Sequence, residues 1–517
     1  MEQYLLGIDV GTSACKVALF TPEGRVAGSA REGYEVFRPE PGWAEQDPRD
    51  WWSAVRRAIG RTLECCGAHA GQIAGIGIGG QSWAAAAVGK NGEILANTPI
   101  WLDTRAESIC KEFRERIGED RIFEIAGNVL QPSYVTGKII WYQRHLPQVY
   151  RKTYKILQSN GYIAYKLTGN MTQDVSQGYG FHCFDMRSAA WDAEMCRAFG
   201  IPAGILPDLY PCHAVIGKVH AKAAAETGLA AGTPVVAGGL DAACGTLGAG
   251  VIHAGETQEQ GGQAGGMSIC LDRYKADARL ILGFHAVPNL WLLQGGTTGG
   301  GGVMRWLARE IAAHGREESA RGDCGDNGIL ALFNDLARAV APGSDGVVFL
   351  PYMAGERSPI WNPKAKGVYY GLDFGKTKGH LVRAAMEGVA MSLRHNLDVA
   401  EKAGAEVGSL SAVGGSANSL LWTQIKSDVT GKPIAAPESD TAAALGAAIL
   451  AGVGVGLYTD FGDAVKRTVK YKRRHTPNEA NRTVYERNYK IYLALYERLA
   501  SLMEEGGFDE SGGALRE

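Results

Sequence analysis

The sequence predicts an α/β protein built of two large domains, and three observations carry that reading. The chain has 517 residues, too many for one hydrophobic core when single domains run about 100 to 200 residues. Short apolar strand-like runs alternate with helical periodicity from the N-terminus onward, which is the pattern of sheets layered with helices. The 70 glycines, about twice the usual share, gather in clusters at the ends of strand-like runs. Hydrophobic residues at 45% and charged residues at 21% describe an ordinary globular chain and exclude global disorder. Lys plus Arg total 53 against 55 for Asp plus Glu. That balance leaves no diffuse positive field for nucleic acid or a membrane surface.

The elements follow in order. Residues 4–9 are apolar, 10–13 are small and turn-like, and 15–20 are apolar again before Thr21-Pro22-Glu23-Gly24. This is a β-hairpin with an acid, Asp9, at its turn. Helical patterns follow at 48–66, 105–117 and 137–145, with strand-like runs such as 73–78 between them. The N-terminus has no basic region or small-residue cleavage site and does not read as a signal peptide, so the expected location is cytoplasmic. Near the middle, a strand-like run at 233–239 stops at Leu240-Asp241, and 242–250 is small and helical. The domain boundary is expected at about 250–256, dividing the chain into 1–252 and 253–505.

Just past the boundary, TQEQGGQAGGMSICL echoes the opening GIDVGTSACKVAL. Aligning Gly11 with Gly262 sets Asp9 against Gln260 and Thr12 against Gln263, which suggests two related halves facing across a cleft. Residues 442–457 are apolar but broken by glycines and too short to span a membrane, so they read as a buried helix and a turn. A last helix over 484–503 places Tyr485, Tyr489, Tyr492 and Tyr496 at helical spacing, a core stripe. Residues 506–517 have the composition of a disordered tail. The ten cysteines form no C-x-x-C pair and no zinc spacing with histidine, so reduced, mostly buried thiols are expected.

Four glycine turns and one acid carry the chemistry. The turn of Asp9, Gly11, Thr12 and Ser13 leaves N–H groups and hydroxyls to cradle a phosphate, or is an ordinary glycine hairpin. It is neither a P-loop nor a Rossmann turn. Clusters at 261–266 and 295–302 could supply further backbone donors. The turn Gly414-Gly415-Ser416-Ala417-Asn418 opens a helical run and suits a phosphate or a planar base. Asp241 lies where a strand meets a helix, at the strand end where α/β sites concentrate. Its carboxylate reads equally as an acceptor of a hydroxyl proton or as a helix N-cap.

Together these segments resemble the FGGY carbohydrate kinases and, within them, the xylulokinase-like group. The resemblance runs over about residues 4–460. It rests on GIDVGTSACKVALF, PGWAEQDPRDWW, GKIIWYQRH, GGLDAACGTLGAG and YMAGERSPIWNPKAKGVYYGL, followed by His380 and residues 384–387. It implies two ribonuclease-H-like domains of the actin, hexokinase and Hsp70 type with an interdomain cleft. The N-terminal domain would bind sugar and the C-terminal one nucleotide. The implied reaction is ATP-dependent phosphorylation of a primary hydroxyl of a ketose such as xylulose, or of a polyol, with Mg²⁺ as cofactor. It implies Asp241 as catalytic base and Asp9 as the acid that positions Mg²⁺ through water. It sets Gly11, Thr12 and Ser13 on the first phosphate loop, Gly262 and Gln263 on the second, Gly301 on the nucleotide floor, and Gly414, Gly415 and Asn418 at the adenosine. A homodimer is implied, with neither nucleic acid nor membrane as partner.

Three departures fall in the implied site. After Gln81 this chain has Ser82-Trp83 where xylulokinases usually carry Met-His. After the base it has Ala242 where they carry Asn, and Gly262-Gln263-Ala264 stands for Gly-Thr-Ser. Losing hydroxyl-binding groups shifts discrimination by orders of magnitude. Trp83 either lines the sugar pocket or packs the core. Asp103 and Arg105, in WLDTR, either line the pocket or form an internal ion pair. Two rival readings are a sugar-sensing protein that has lost turnover and an ATPase of the Hsp70 kind.

Overall fold

The computed structural model describes residues 3–312 and 326–505; the tail expected at 506–517 lies outside the described residues. They form two compact units. The first takes residues up to Ala254 together with Cys270–Leu293 and Thr441–Lys470, and the second takes Gly255–Ile269, Gln294–Asp440 and the chain from Tyr471. Two segments of the expected continuous 253–505 domain therefore pack with the N-terminal part.

In the first unit, strands β1 (Tyr4–Val10), β2 (Ala14–Phe20), β3 (Val26–Gly33), β4 (Ile73–Gly80), β5 (Val215–Lys218) and β6 (Pro234–Val236) form a sheet in the order β5-β6-β4-β1-β2-β3. The first three make an antiparallel meander, while β1 and β6 both run parallel to β4. One face of β1, with Leu6, Ile8 and Val10, packs in a core with Trp51, Val55 and Ile59 of helix Pro48–Cys66. That helix begins and ends as its sequence dictates. Asp47 accepts the Arg49 N–H, Pro48 opens the first turn, and Gly67 closes the helix in the left-handed region.

The other face of β1 and β4 receives helix Ala442–Gly454 at backbone contact. A Cβ on Gly7 would lie 2.0 Å from the Ala444 carbonyl oxygen, and one on Gly77 would lie 1.8 Å from that of Ala447. The same helix crosses helix Asp241–Gly248 just as closely. A Cβ on Gly446 would meet the Cys244 carbonyl at 1.8 Å, and one on Gly248 that of Ala442 at 1.9 Å. This packing explains why the apolar 441–470 segment joins the first unit. The strand expected over 233–239 stops at Val236, because Gly238 turns at φ 81° with its α-carbon pressed toward the Ile78 carbonyl. Gly239–Leu240 then pairs with the end of β4 and delivers Asp241.

In the second unit, β7 (Glu256–Gly261), β8 (Gly265–Leu271), β9 (Trp291–Thr297), β10 (Ser409–Val413), β11 (Ile434–Pro437) and β12 (Tyr471–His475) lie in the order β9-β8-β7-β10-β11-β12. The hairpin β7–β8 is antiparallel, β7–β10 and β10–β11 are parallel, and β11–β12 is antiparallel. The first five positions repeat β3-β2-β1-β4-β6, so the echo between the two hairpin sequences marks a shared strand order; the outermost strand precedes its neighbour along the chain in the first sheet and follows it in the second, and Ile281–Phe284 extends the second sheet beyond β9. The tyrosine stripe lies on helix Arg482–Glu505, where Tyr485, Tyr489 and Tyr492 enter the core beside Phe349, Tyr352 and Met386. Their hydroxyls are paired: Tyr352 with Tyr492 at 2.6 Å, Tyr485 with Glu387 at 3.0 Å. None of the nine described cysteines is in a disulfide, and apart from Cys65 and Cys66 they are buried. Among the described residues, no helix is long and apolar enough to cross a membrane.

The glycine contacts predict opposite effects for two single-methyl changes. Gly77→Ala drives a Cβ into a backbone carbonyl and should cost about 3 kcal/mol or more. Gly60→Ala, in the interior of helix Pro48–Cys66 with nothing within 4 Å of the new methyl, should stabilise by about 0.5–1 kcal/mol. Thermal unfolding of both variants checks this, and a Gly77→Ala protein as stable as the parent would refute the packing.

Candidate active site

Alternation along β1 puts Asp9 on the face of Leu5 and Gly7, toward the two crossing helices. Its cross-strand neighbour in β2 is Lys16, so a carboxylate and an ammonium share that face. The turn beyond them is held from several sides. The Gly11 N–H donates to the Ala14 carbonyl at 3.1 Å, and the Tyr34 hydroxyl donates to the Gly11 carbonyl. Gln46 Nε2 donates to the Thr12 carbonyl at 2.6 Å, and the Trp101 indole donates to Thr12 Oγ1 at 2.9 Å. With its oxygen accepting from Trp101, the Thr12 hydroxyl keeps its own proton to donate. Ser13 is exposed at the tip. Gln81 is tied to this turn through its N–H on the Val10 carbonyl and its Nε2 on Gln46 Oε1, at 2.8 and 2.7 Å. Its Oε1 and Asp9 Oδ1 are buried acceptors with no hydrogen-bond partner.

Asp241 opens helix Asp241–Gly248, whose N-cap is Leu240. The N-cap reading of Asp241 is thereby corrected: it is already the first helical residue, and its Oδ1 accepts the Ala242 N–H at 2.7 Å. The approach to it is set by a buried polar chain. Asp174 accepts from Asn160, Gln173 and Ser176, and Ser176 Oγ accepts the Leu240 N–H at 2.8 Å. Burial lifts the Asp241 carboxyl to about 7, the Asp9 charge adds to the rise, and the Ala242 N–H offsets part of it. Burial likewise lifts Asp9 to about 6, against the pull of Lys16. Two carboxyls withdrawn from water and within electrostatic reach of each other form a pair poised to exchange protons near neutrality.

Trp83 is 9% exposed. Its ring stacks on Tyr134 with centroids 4.0 Å apart and meets Tyr179 edge-on at 5.8 Å. Tyr179 in turn feels the Asp241 charge, so this aromatic cluster flanks the carboxyl pair. Ser82 is partly exposed in the same turn. Asp103 and Arg105 adopt the internal arrangement. Arg105 clamps both oxygens of Asp103 at 2.8 and 2.6 Å, pairs with Glu45 at 2.8 Å, and lies over Trp43. Asp103 is fully buried and also accepts the Ala44 N–H. This places both side chains in the scaffold of the loop instead of at an open pocket surface.

The second unit repeats the hairpin turn at Gly262, Gln263 and Ala264. The Gly262 and Gln263 carbonyls accept the N–H groups of Gly301 and Gly302 at 2.8 and 2.9 Å. These donors at the start of helix Gly301–Ala312 are thus spent on the loop, and a Cβ on Gly301 would lie 2.7 Å from the Gly262 carbonyl oxygen. Gly414 has φ 87°, and a Cβ there would lie 2.8 Å from the Gly261 carbonyl. Gly414, Gly415 and Asn418 are exposed, and nothing lies within 4 Å above Gly415, which leaves a flat surface. Beneath that turn Lys426 bonds Glu259 at 2.6 Å and Ser416 at 2.7 Å. Glu356 accepts from Thr297 and the Thr298 N–H at 2.6 and 2.9 Å, anchoring the 295–302 loop.

Lys16, Gln46, Trp101, Ser176 and Lys426 were not singled out from the sequence. Only Lys16 had a local signal, since it mirrors Asp9 across the predicted hairpin.

Two units of like strand order, each with a glycine hairpin, and a paired carboxyl in the first, suit the binding and transfer of a phosphoryl group. The FGGY family of carbohydrate kinases matches this chain twice, by its N-terminal domain over residues 4–248 and by its C-terminal domain over 274–455. The chain belongs to that family: it is a carbohydrate kinase, which phosphorylates sugar with ATP as co-substrate. It is 30% identical to a xylulose kinase of Escherichia coli strain K12 over 502 residues, 96% of this chain and 99% of that protein. It is 29% identical to a gluconokinase of Bacillus subtilis strain 168 over 507 residues, 98% of this chain and 97% of that one. The crystal structure of xylulose kinase from Rhodospirillum rubrum superposes with a TM-score of 0.88 at 30% identity, covering 97% of this chain and all of that one.

Folding raises the pKa of both carboxyls, so their ionisation opposes folding. The associated stability is fully present below the ordinary carboxyl value of 3.8 and is lost as pH rises through about 6 and 7. Asp241→Asn should therefore raise the melting temperature by a few °C at pH 8 and by less at pH 5. Equal shifts at the two pH values would refute the buried-pair reading.

Proposed function

We propose that this kinase transfers the γ-phosphoryl group of ATP to a primary hydroxyl of a small neutral sugar, a ketose such as xylulose or a polyol, with Asp241 as general base. The observation that carries the reading is the Asp241 carboxyl, lifted to about 7 beside Asp9 and flanked by an aromatic wall. A base with a pKa near the working pH combines a useful ionised fraction with real proton affinity.

In the proposed step the sugar hydroxyl oxygen bonds to the γ-phosphorus while the bond from that phosphorus to the bridging oxygen of ADP breaks. The hydroxyl proton passes to Asp241. Most of the protein's contribution in such a transfer is positioning and charge neutralisation. The Thr12 hydroxyl and the backbone at Ser13 would meet phosphate oxygens, and Lys16 would balance charge on the same face. In the second unit Gly262 and Gln263 would approach phosphate, and the exposed surface of Gly414, Gly415 and Asn418 would take the adenosine. Gln81, Ser82 and Ala242 would line the sugar, with Trp83 as part of its wall.

Magnesium fits the acidic side of this site. The described residues contain no cluster of three or more metal-ligating side chains, but Asp9 presents a buried oxygen with no partner, and magnesium keeps its waters and takes few carboxylates. Asp9 would hold it through water, and bound there it would neutralise charge on the phosphates.

Relatives of this chain include both xylulose kinases and gluconokinases. The two cations beside the aromatic wall favour the neutral class. Lys138 spends all three of its protons on backbone carbonyls, and the buried Arg105 charge is already balanced by the carboxylates of Asp103 and Glu45, so neither is an open cation for an aldonate carboxylate. In an assay of ADP release from MgATP over ketoses, aldoses, polyols, glycerol and gluconate, a neutral ketose or polyol should stimulate strongly and gluconate should not. Asp241→Ala should lose about 10³-fold or more of that turnover while binding nucleotide as the parent does. Turnover retained by Asp241→Ala would remove it as base, and preference for gluconate would overturn the substrate class.

A further inference from the structure

We propose that Lys138 is a positioning residue for sugar recognition, whose ammonium ties together the segments that carry Trp83, Trp101 and Tyr134. Lys138 projects from helix Val135–His145 and is wholly buried. Its Nζ donates to the carbonyls of Trp83, Ile100 and Ser133 at 2.7, 2.7 and 2.6 Å. All three protons are used, each on a different stretch of chain, and each bond is as short as charge-assisted bonds are.

Every one of those carbonyls sits at or next to an aromatic of the site. The first is that of Trp83. Ile100 precedes Trp101, whose indole holds the Thr12 hydroxyl. Ser133 precedes Tyr134, the ring stacked on Trp83. Trp83 itself stands at φ 59°, in the left-handed region that bulky residues enter only when the surroundings hold them there. Both of its backbone groups are held by buried side chains: the N–H by Gln158 Oε1 at 2.7 Å, the carbonyl by Lys138. Trp83 is therefore set from both sides of its backbone, and the carbonyl side shares its one nitrogen with the Ile100 and Ser133 carbonyls.

A purely structural role is a poor account of this arrangement. Burial pushes the Lys138 ammonium down to about 7, and Asp103 offsets only part of that. The Asp103 carboxylate is bonded to Arg105 instead, so Lys138 has carbonyl partners and no bonded counter-ion. A buried cation is a costly way to fill space, and apolar side chains do so as well or better. What an ammonium adds is a fixed three-way geometry.

The proposal rests on the sugar site lying at this wall, and its test is separable from that of Asp241. Lys138→Met and Lys138→Gln are made in the full chain and assayed with the sugar that the parent turns over best. Lys138→Met should raise the sugar KM about tenfold or more, with kcat within about threefold and the KM for ATP within about twofold. Lys138→Gln retains two N–H donors and should fall between Met and the parent. An unchanged sugar KM would overturn the proposal. So would a parallel loss in kcat and ATP affinity, or failure of both variants to fold, since each assigns Lys138 to the scaffold alone. Failure of the general-base reading would show in Asp241→Ala turnover and leave the KM comparison intact.

Discussion

The approach of helix Ala442–Gly454 to within backbone contact of β1, β4 and helix Asp241–Gly248 is the constraint on which the first unit depends. Four glycines, Gly7, Gly77, Gly248 and Gly446, each face a carbonyl where a Cβ would lie at 2.0 Å or less. Interiors are close-packed, so elements that meet without side chains have little room to slide. The interlock holds the helix that begins at Asp241 against the strand that carries Asp9, and it does so with segments drawn from both ends of the chain.

Bringing two carboxyls together in that place works against stability. Burial raises both pKa values, and the charge of Asp9 raises Asp241 further. The surrounding structure offsets this with polar groups of its own. Lys16 opposes Asp9 across the hairpin, the Ala242 N–H serves Asp241, and the Asp174–Ser176 chain fixes Leu240 just before it. Stability is given up at the two buried carboxyls and recovered in the interlock and the buried network.

The aromatic wall is likewise set by fixed polar partners. Gln46 joins the Gly11–Ser13 turn to Gln81 and Trp51, Gln158 and Lys138 pin Trp83, and Arg105 joins Asp103 to Glu45 over the Trp43 ring. The second unit builds its loops in like manner, with Lys426 and Glu259 beneath the exposed glycine turn and Glu356 beneath the threonines at 297 and 298. In both units the glycine turns present backbone and small residues, and charged or polar side chains that hold them lie behind.

The elements whose cause is local were legible in the amino-acid sequence. Helix Pro48–Cys66 was readable from its periodicity, and the β1–β2 hairpin from two apolar runs around a small turn. The echo between the turns at Gly11 and Gly262 marked the repeated topology, and the ordered motifs marked the family. What only the tertiary structure decided depends on partners far apart along the chain. No spacing rule joins Gly77 to Ala447, Lys138 to Trp83 and Ile100, or Gly301 to Gly262. The WLDTR segment suits pocket and scaffold equally, and it is Glu45, Trp43 and the Ala44 N–H around Asp103 and Arg105 that make it scaffold. Periodicity and turn chemistry act over a few residues and so can be read from the chain. Desolvation and close packing depend on what the fold brings alongside, and those set the carboxyl pair and the wall beside it.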